Sequence, residues 1–197
     1  MLILDQLITQ FLYNLLPHAY ITNLFFMFFS AVGSFSVIWI VLGIILIVIE
    51  EKKHHEFVLF FLGGLIVTAV LTSFVIKPVV HRSRPSFANA IAKPADYSFP
   101  STHAATSFFA ATLLTFYHRK KKALFYTLAG LISFSRLYLG VHYAGDVLAG
   151  AIIGILIAYA ISNFQFTVFS LQLNHGVCTI SQKRGHTKKS EHSKRKR

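Results

Sequence analysis

FVLFFLGGLIVTAVLTSFVIKPVVHRSRP occupies residues 57–85. From Phe57 to Ile76 it carries no charged side chain, and as a helix that run is long enough to cross a hydrocarbon layer of roughly 30 Å. Lys77 closes the run, and Arg84 follows seven residues later, directly before Pro85. Ionisable groups at the edge of a membrane segment are costly, so they are either paired structurally or kept for chemistry.

The rest of the chain supports a bilayer as the solvent. Of its 197 residues 54% are hydrophobic and only 13% are charged, with 20 phenylalanines, more apolar surface than one soluble domain of this size can hide. The net charge of +12 is unevenly spread. Eight of the nineteen Lys and Arg lie in the tail after Cys178, which reads as a solvated segment rather than a nucleic-acid surface. One cysteine rules out an internal disulfide. The first Lys or Arg is Lys52, so the charged start of a secretory signal peptide is not visible.

Four further apolar stretches, 23–49, 104–117, 123–135 and 147–162, join 57–76 to give five expected spans. Residues 2–17 mix Asp5, Gln6 and Gln10 with leucines and isoleucines, which predicts an interfacial amphipathic helix within 1–20, a sixth span being the alternative. The expected fold is an all-α polytopic membrane helix bundle over 21–173, residues 164–173 continuing its last helix, followed by a basic tail over 174–197. With five crossings, segments 50–55, 118–122 and the tail share one side and hold fourteen of the nineteen Lys and Arg. That side is cytoplasmic by the positive-inside rule. The polar loop after Lys77 then faces away from the cytoplasm. Gly150 and Gly154 form a GxxxG that predicts a close helix contact.

Three polar clusters fall on that outer side. Lys77 and Arg84 form the first, FPSTHAA with Ser101, Thr102 and His103 the second, and SRLYLGVHYAGD with Arg136, His142 and Asp146 the third. Singly, each residue has a structural explanation: snorkelling cations, an N-cap serine, an i, i+4 pair. Together they describe a pocket. Two histidines and an aspartate invite zinc, but three cations would repel it, so no metal is expected. The same cations suit phosphate, helped by backbone N–H groups where the third span begins. His142 with Asp146 one turn on repeats the base-and-orienter logic of a triad, and His103 is placed to protonate a leaving oxygen.

Lys77-xxxxxx-Arg84-Pro85, Pro100-Ser101-x-His103 and Ser135-Arg136-xxxxx-His142-xxx-Asp146 resemble, in order and spacing, the three-part signature of the type 2 phosphatidic acid phosphatase superfamily. That family also includes vanadium haloperoxidases and soluble acid phosphatases. The resemblance implies a helical bundle and cofactor-free hydrolysis of phosphomonoesters or pyrophosphates. It implies His142 as nucleophile assisted by Asp146, His103 as acid, and Lys77, Arg84, Ser101 and Arg136 as phosphate ligands. Thr102 departs from the pattern, since the family commonly has glycine there. Its N–H remains available, so activity should survive with a narrower pocket or altered preference.

The expected function is a multi-pass lipid phosphatase of the plasma (inner) membrane, working on the extracytoplasmic side. Its partners are the bilayer and a lipid phosphate, with no nucleic acid. By resemblance the substrate is undecaprenyl pyrophosphate, phosphatidylglycerol phosphate or a lipid A phosphate, the first favoured because outward-facing chemistry suits carrier recycling. A phosphotransferase would use the same residues. A scaffold that only grips headgroups would need the cations but not His142 or His103.

Overall fold

The computed structural model describes residues 2–49, 55–87 and 94–167, and all regular secondary structure among them is helical. α1 covers Leu2–Tyr13, α2 Tyr20–Gly33 and α3 Val37–Ile49. α4 starts at His55, is α-helical to Val70, makes a π-helical turn over Leu71–Ile76 and ends with Lys77–Val80. α5 is Thr102–Tyr117, α6 Lys122–Tyr138 and α7 Ala144–Thr167. Segments 50–54, 88–93 and 168–197 lie outside the described residues, and with them Lys93, Cys178, the basic tail and the end of the expected last helix. Two compact units divide the chain, Met1–Ala160 and Ile161–Arg197. The described part of the second is helical to Thr167, whose hydroxyl donates to the Asn163 carbonyl at 3.0 Å.

Phe57–Val80 and Ala144–Thr167 are each long and apolar enough to cross a membrane. The stretch 23–49, expected as one crossing, is built of two helices that meet at a bend of 66°. A single 3-10 turn at Ser34–Ser36 makes the break, with Ser36 in the left-handed region at φ 57°. The Ser34 hydroxyl bonds back to the Ser30 carbonyl at 3.0 Å, a local pairing that competes with straight helix geometry.

α5 is the central helix, packed against α4 and α6 and touched along its backbone by α7. Ala104 to Ser107 and Phe109 to Leu114 are all buried. Its many Ala, Ser and Thr follow from that position: lipid does not reach them, and small side chains let neighbouring backbones approach. Trp39 of α3, fully buried, donates from Nε1 to Ser107 at 3.0 Å. A Cβ at Gly150 would collide with the Ser101 carbonyl, and one at Gly154 with the Ala105 carbonyl, so the GxxxG of α7 serves a contact within the chain. Large apolar residues instead cover the outside, Leu59, Val67 and Val75 on α4 and Leu148 and Leu156 on α7.

α1 turns a narrow stripe inward. Thr9 and Tyr13 are buried and Asp5 is half-buried, while Ile3, Leu4, Leu7 and Phe11 are exposed. Its inward polar groups face the protein, and its apolar side faces out.

Candidate active site

The π-helical turn of α4 comes just before the first cation of the site. Such a turn inserts a residue and rotates everything after it, and π-turns often mark functional positions. Here it brings Thr72 and Ser73 onto the start of α5 and leaves the Lys77 side chain buried in the cavity. Thr72 donates to the Thr102 hydroxyl at 3.2 Å, and Ser73 lies 3.0 Å from the same oxygen. The threonine that stands where glycine was expected therefore has partners of its own in α4.

Ser101 caps α5: its Oγ accepts from the Ala104 N–H at 3.4 Å, and its own N–H donates to the Asp146 carbonyl at 3.0 Å. The second and third clusters are thereby joined through backbone. Arg136, in the last turn of α6, is buried and donates to the Ser30 hydroxyl of α2. His103, one residue into α5, has Nε2 3.2 Å from Ser34 Oγ. The last turn of α2 and the break after it thus present one serine each to the site, Ser30 for Arg136 and Ser34 for His103.

Arg84 is the centre of the cation cluster. Its Nη1 donates to the Val141 carbonyl at 2.6 Å and lies 3.2 Å from His142 Nε2. A guanidinium has no acceptor, so this contact requires an unprotonated Nε2 and places the ring proton on Nδ1. Nδ1 faces Asp146 Oδ2 at 3.5 Å, too long for a good hydrogen bond, and it has no closer polar partner. The carboxylate acts on the ring as a charge while its hydrogen bonds go elsewhere: Oδ2 accepts from the Tyr143 N–H at 2.9 Å and Oδ1 from Arg82 at 2.7 Å. Burial dominates the basicity of His142 and pushes it down to about 4; Asp146 opposes this, while Arg84 and Arg136 add to it. His142 is held as a neutral imidazole with its free lone pair among cations.

Asp96 occupies the position an anion would take between Lys77 and Arg84. It pairs with Lys77, and its other oxygen accepts from Arg84 Nη2 at 2.6 Å. Burial would raise its pKa, but the hydrogen bonds from Lys77 and Arg84 outweigh that and bring it to about 2.

Every residue expected at the site, Lys77, Arg84, Ser101, Thr102, His103, Arg136, His142 and Asp146, is drawn together at one end of the bundle. Four others were not singled out for the site: Asp5, Ser30, Ser34 and Arg82; Asp96 was expected only as part of a specificity loop between Pro85 and Pro100, together with Phe87, Lys93 and Tyr97. Asp5 carried a legible signal, as the sole carboxylate before Glu50 in an apolar region. Among the described residues no three His, Cys, Asp or Glu side chains gather so as to hold a metal ion.

The chain is 44% identical over 91 residues to a lipid A 4'-phosphatase of Bacteroides thetaiotaomicron, covering 40% of each protein. It is 34% identical over 106 residues to phosphatidylglycerophosphatase B of Bacillus subtilis, covering 48% of this chain and 51% of that one. The chain thus matches about half or less of the length of these curated relatives. The crystal structure of Aquifex aeolicus LpxE superposes with a TM-score of 0.69 at 28% identity, covering 81% of this chain and 95% of that one. Residues 57–170 match the family model of the PAP2 superfamily, and the chain belongs to that superfamily.

Proposed function

We propose that this protein is an integral membrane lipid phosphatase that hydrolyses a lipid phosphate or pyrophosphate through a phosphohistidine at His142. One observation carries the reading. A single cavity of about 780 Å³ has Lys77, Arg84, Arg136, His103 and His142 on its polar wall, and Ile40, Leu62, Leu65, Ile66 and Val70 of α3 and α4 on its apolar wall. A site for a water-soluble phosphate has no use for that second wall. A phosphate on an acyl or prenyl chain fits both. The names of the two curated relatives, each a lipid phosphatase, support the same class.

The chemistry follows from the charges. The incoming phosphoryl group displaces the Asp96 carboxylate from Lys77 and Arg84, and Arg136 and the N–H groups at the start of α5 complete the clamp. Nε2 of His142 attacks phosphorus as the bond to the leaving oxygen breaks, and His103 delivers a proton to that oxygen. Asp146 stabilises the positive charge that the phosphorylated imidazole then carries. His103, now neutral, takes a proton from water as its oxygen attacks phosphorus, which frees inorganic phosphate and restores His142. The fixed cations stabilise the charge on the phosphoryl group throughout.

The protein crosses the membrane five times, with α2 and α3 together as one bent crossing and α1 outside that count. The active site lies on the extracytoplasmic side, and the tail over 174–197 is cytoplasmic. The distribution of Lys and Arg supports this orientation. A phosphate-release panel of phosphatidylglycerol phosphate, phosphatidic acid, undecaprenyl pyrophosphate and lipid A tests the function. Turnover of at least one, abolished in His142→Ala, is the expected result; parent turnover in that variant would overturn the mechanism.

A further inference from the structure

We propose that Asp5 and Arg82 are positioning residues for the His142–Asp146 pair, so that the N-terminal helix is part of the catalytic apparatus. The inference rests on His142 as nucleophile and extends that reading to a segment far away in sequence.

The Arg82 guanidinium bridges two carboxylates. Nη1 donates to Asp146 Oδ1 at 2.7 Å, and Nη2 donates to Asp5 Oδ2 at 2.5 Å. The Tyr143 ring, its centroid 4.0 Å from the guanidinium carbon, fixes the plane of the fork. Helix α1 also holds the turn that carries the histidine. Asp5 Oδ1 accepts from the Gly145 N–H at 2.8 Å, and Thr9 Oγ1 accepts from the Ala144 N–H at 2.9 Å. These amides open α7 and have no acceptor within their own helix. The capping groups therefore come from α1, more than 130 residues away in sequence. Gly145 makes this approach feasible, since a Cβ there would lie 3.0 Å from Asp5 Oδ2.

The charges explain why two carboxylates share one arginine. Asp146 is fully buried, and a buried carboxylate needs a counter-charge to stay ionised. Arg82 alone would neutralise it and leave nothing for the ring. With Asp5 on the other arm of the fork, two carboxylates face one guanidinium, and the group carries one net negative charge. That charge is balanced when His142 becomes positive, as it does on taking the phosphoryl group. Asp5 and Arg82 touch neither substrate nor the attacking nitrogen; they act through Asp146 and through the backbone at 144–145.

The test uses full-length protein in detergent, assayed for phosphate release from whichever lipid of the panel above is turned over fastest. Asp5→Asn and Arg82→Gln are each expected to lower kcat by about tenfold or more while KM changes by less than about twofold. In the Asp146→Asn background, Asp5→Asn is expected to cause a clearly smaller further loss than it does alone, because its route through the carboxylate has gone and only its hold on the Gly145 N–H remains. Parent kcat in Asp5→Asn, a loss confined to KM, or full multiplication of the two losses would overturn the proposal. If Asp5→Asn does not yield folded protein, Thr9→Val decides. It removes the bond from α1 to Ala144 but leaves the ion network whole, so lowered kcat at unchanged KM supports the proposal and parent kcat overturns it. His142→Ala assayed alongside keeps the two readings separate. Parent turnover there removes the histidine mechanism, whereas an inactive His142→Ala beside a full-speed Asp5→Asn removes only the role of α1.

Discussion

Nη1 of Arg84 lies 3.2 Å from Nε2 of His142, the atom with the only free lone pair on that ring. The same arginine reaches the Val141 carbonyl and both the backbone and side chain of Asp96. One flat, five-donor group thus ties the histidine turn to the loop that carries Asp96.

Lysine cannot replace it. Arg84→Lys keeps the charge but offers one nitrogen where the guanidinium uses three. It is expected to lower kcat/KM by about a hundredfold, the scale of removing one preorganised donor from a developing anion. Steady-state phosphate release measures it, and a loss under threefold would mean that charge alone suffices.

On the proposed mechanism, Asp96 competes with the substrate for Lys77 and Arg84. Because its pKa is near 2, it stays charged through the neutral range and yields only to a better anion. Asp96→Asn is expected to tighten product inhibition by inorganic phosphate about threefold to tenfold, the scale of one or two partly exposed ion pairs. Its side chain is 54% exposed, which keeps the effect at that size. Unchanged inhibition would show that the pairing has no influence on anion binding.

The cluster of cations and histidines was legible in the sequence because each of its three parts is local. Arg84 comes seven positions after Lys77 and Asp146 four after His142, so each pair is legible as a short local pattern. What spacing could not supply were partners brought in from elsewhere in the chain. Asp5 meets Arg82 across 77 residues, and Ser34 meets His103 across 69. Hydropathy marks contact with lipid, not the path of the chain, so it gave no sign of the break at Ser34–Ser36 inside a continuous apolar run. It also understated α5, whose Ala, Ser and Thr reflect a helix shielded by its neighbours. Thr102 looked like an intrusion into the pocket because nothing local shows that Thr72 and Ser73 would receive it.

Acid should destabilise the fold in two separate windows. His142 has a folded pKa of about 4, against an ordinary 6.5. Above 6.5 both folded and unfolded chains hold it neutral, so there is no cost. As pH falls from 6.5 towards 4 the unfolded chain gains a proton that the folded site refuses, and stability drops. Asp96 runs lower: its contribution is complete above 3.8 and is lost as pH falls towards 2. Melting temperatures in detergent should therefore decline between pH 6.5 and 4, and His142→Gln should flatten part of that decline. An identical slope in the variant would show that the imidazole is not excluded from protonation.

The approach of α7 to α5 offers a test of how closely the site depends on the bundle. At Gly154 a Cβ would run into the Ala105 carbonyl and lie 2.8 Å from the Phe109 nitrogen, both backbone atoms that cannot rotate away. Gly154→Ala must push the two helices apart, at a cost of about 1–3 kcal/mol for an overpacked contact. The displacement reaches the chemistry, because α5 carries His103 and α7 carries Asp146. Gly130 in α6 is the control, since a Cβ there meets nothing within 4 Å. Gly130→Ala should stabilise the helix by about 0.5–1 kcal/mol through reduced backbone freedom in the unfolded chain. Thermal unfolding in detergent and phosphate release should then move together: down in both for Gly154→Ala, and up in stability at unchanged turnover for Gly130→Ala. If Gly154→Ala matched the parent in both measurements, the close helix contact would be wrong, and with it the placement of Asp146 beneath His142.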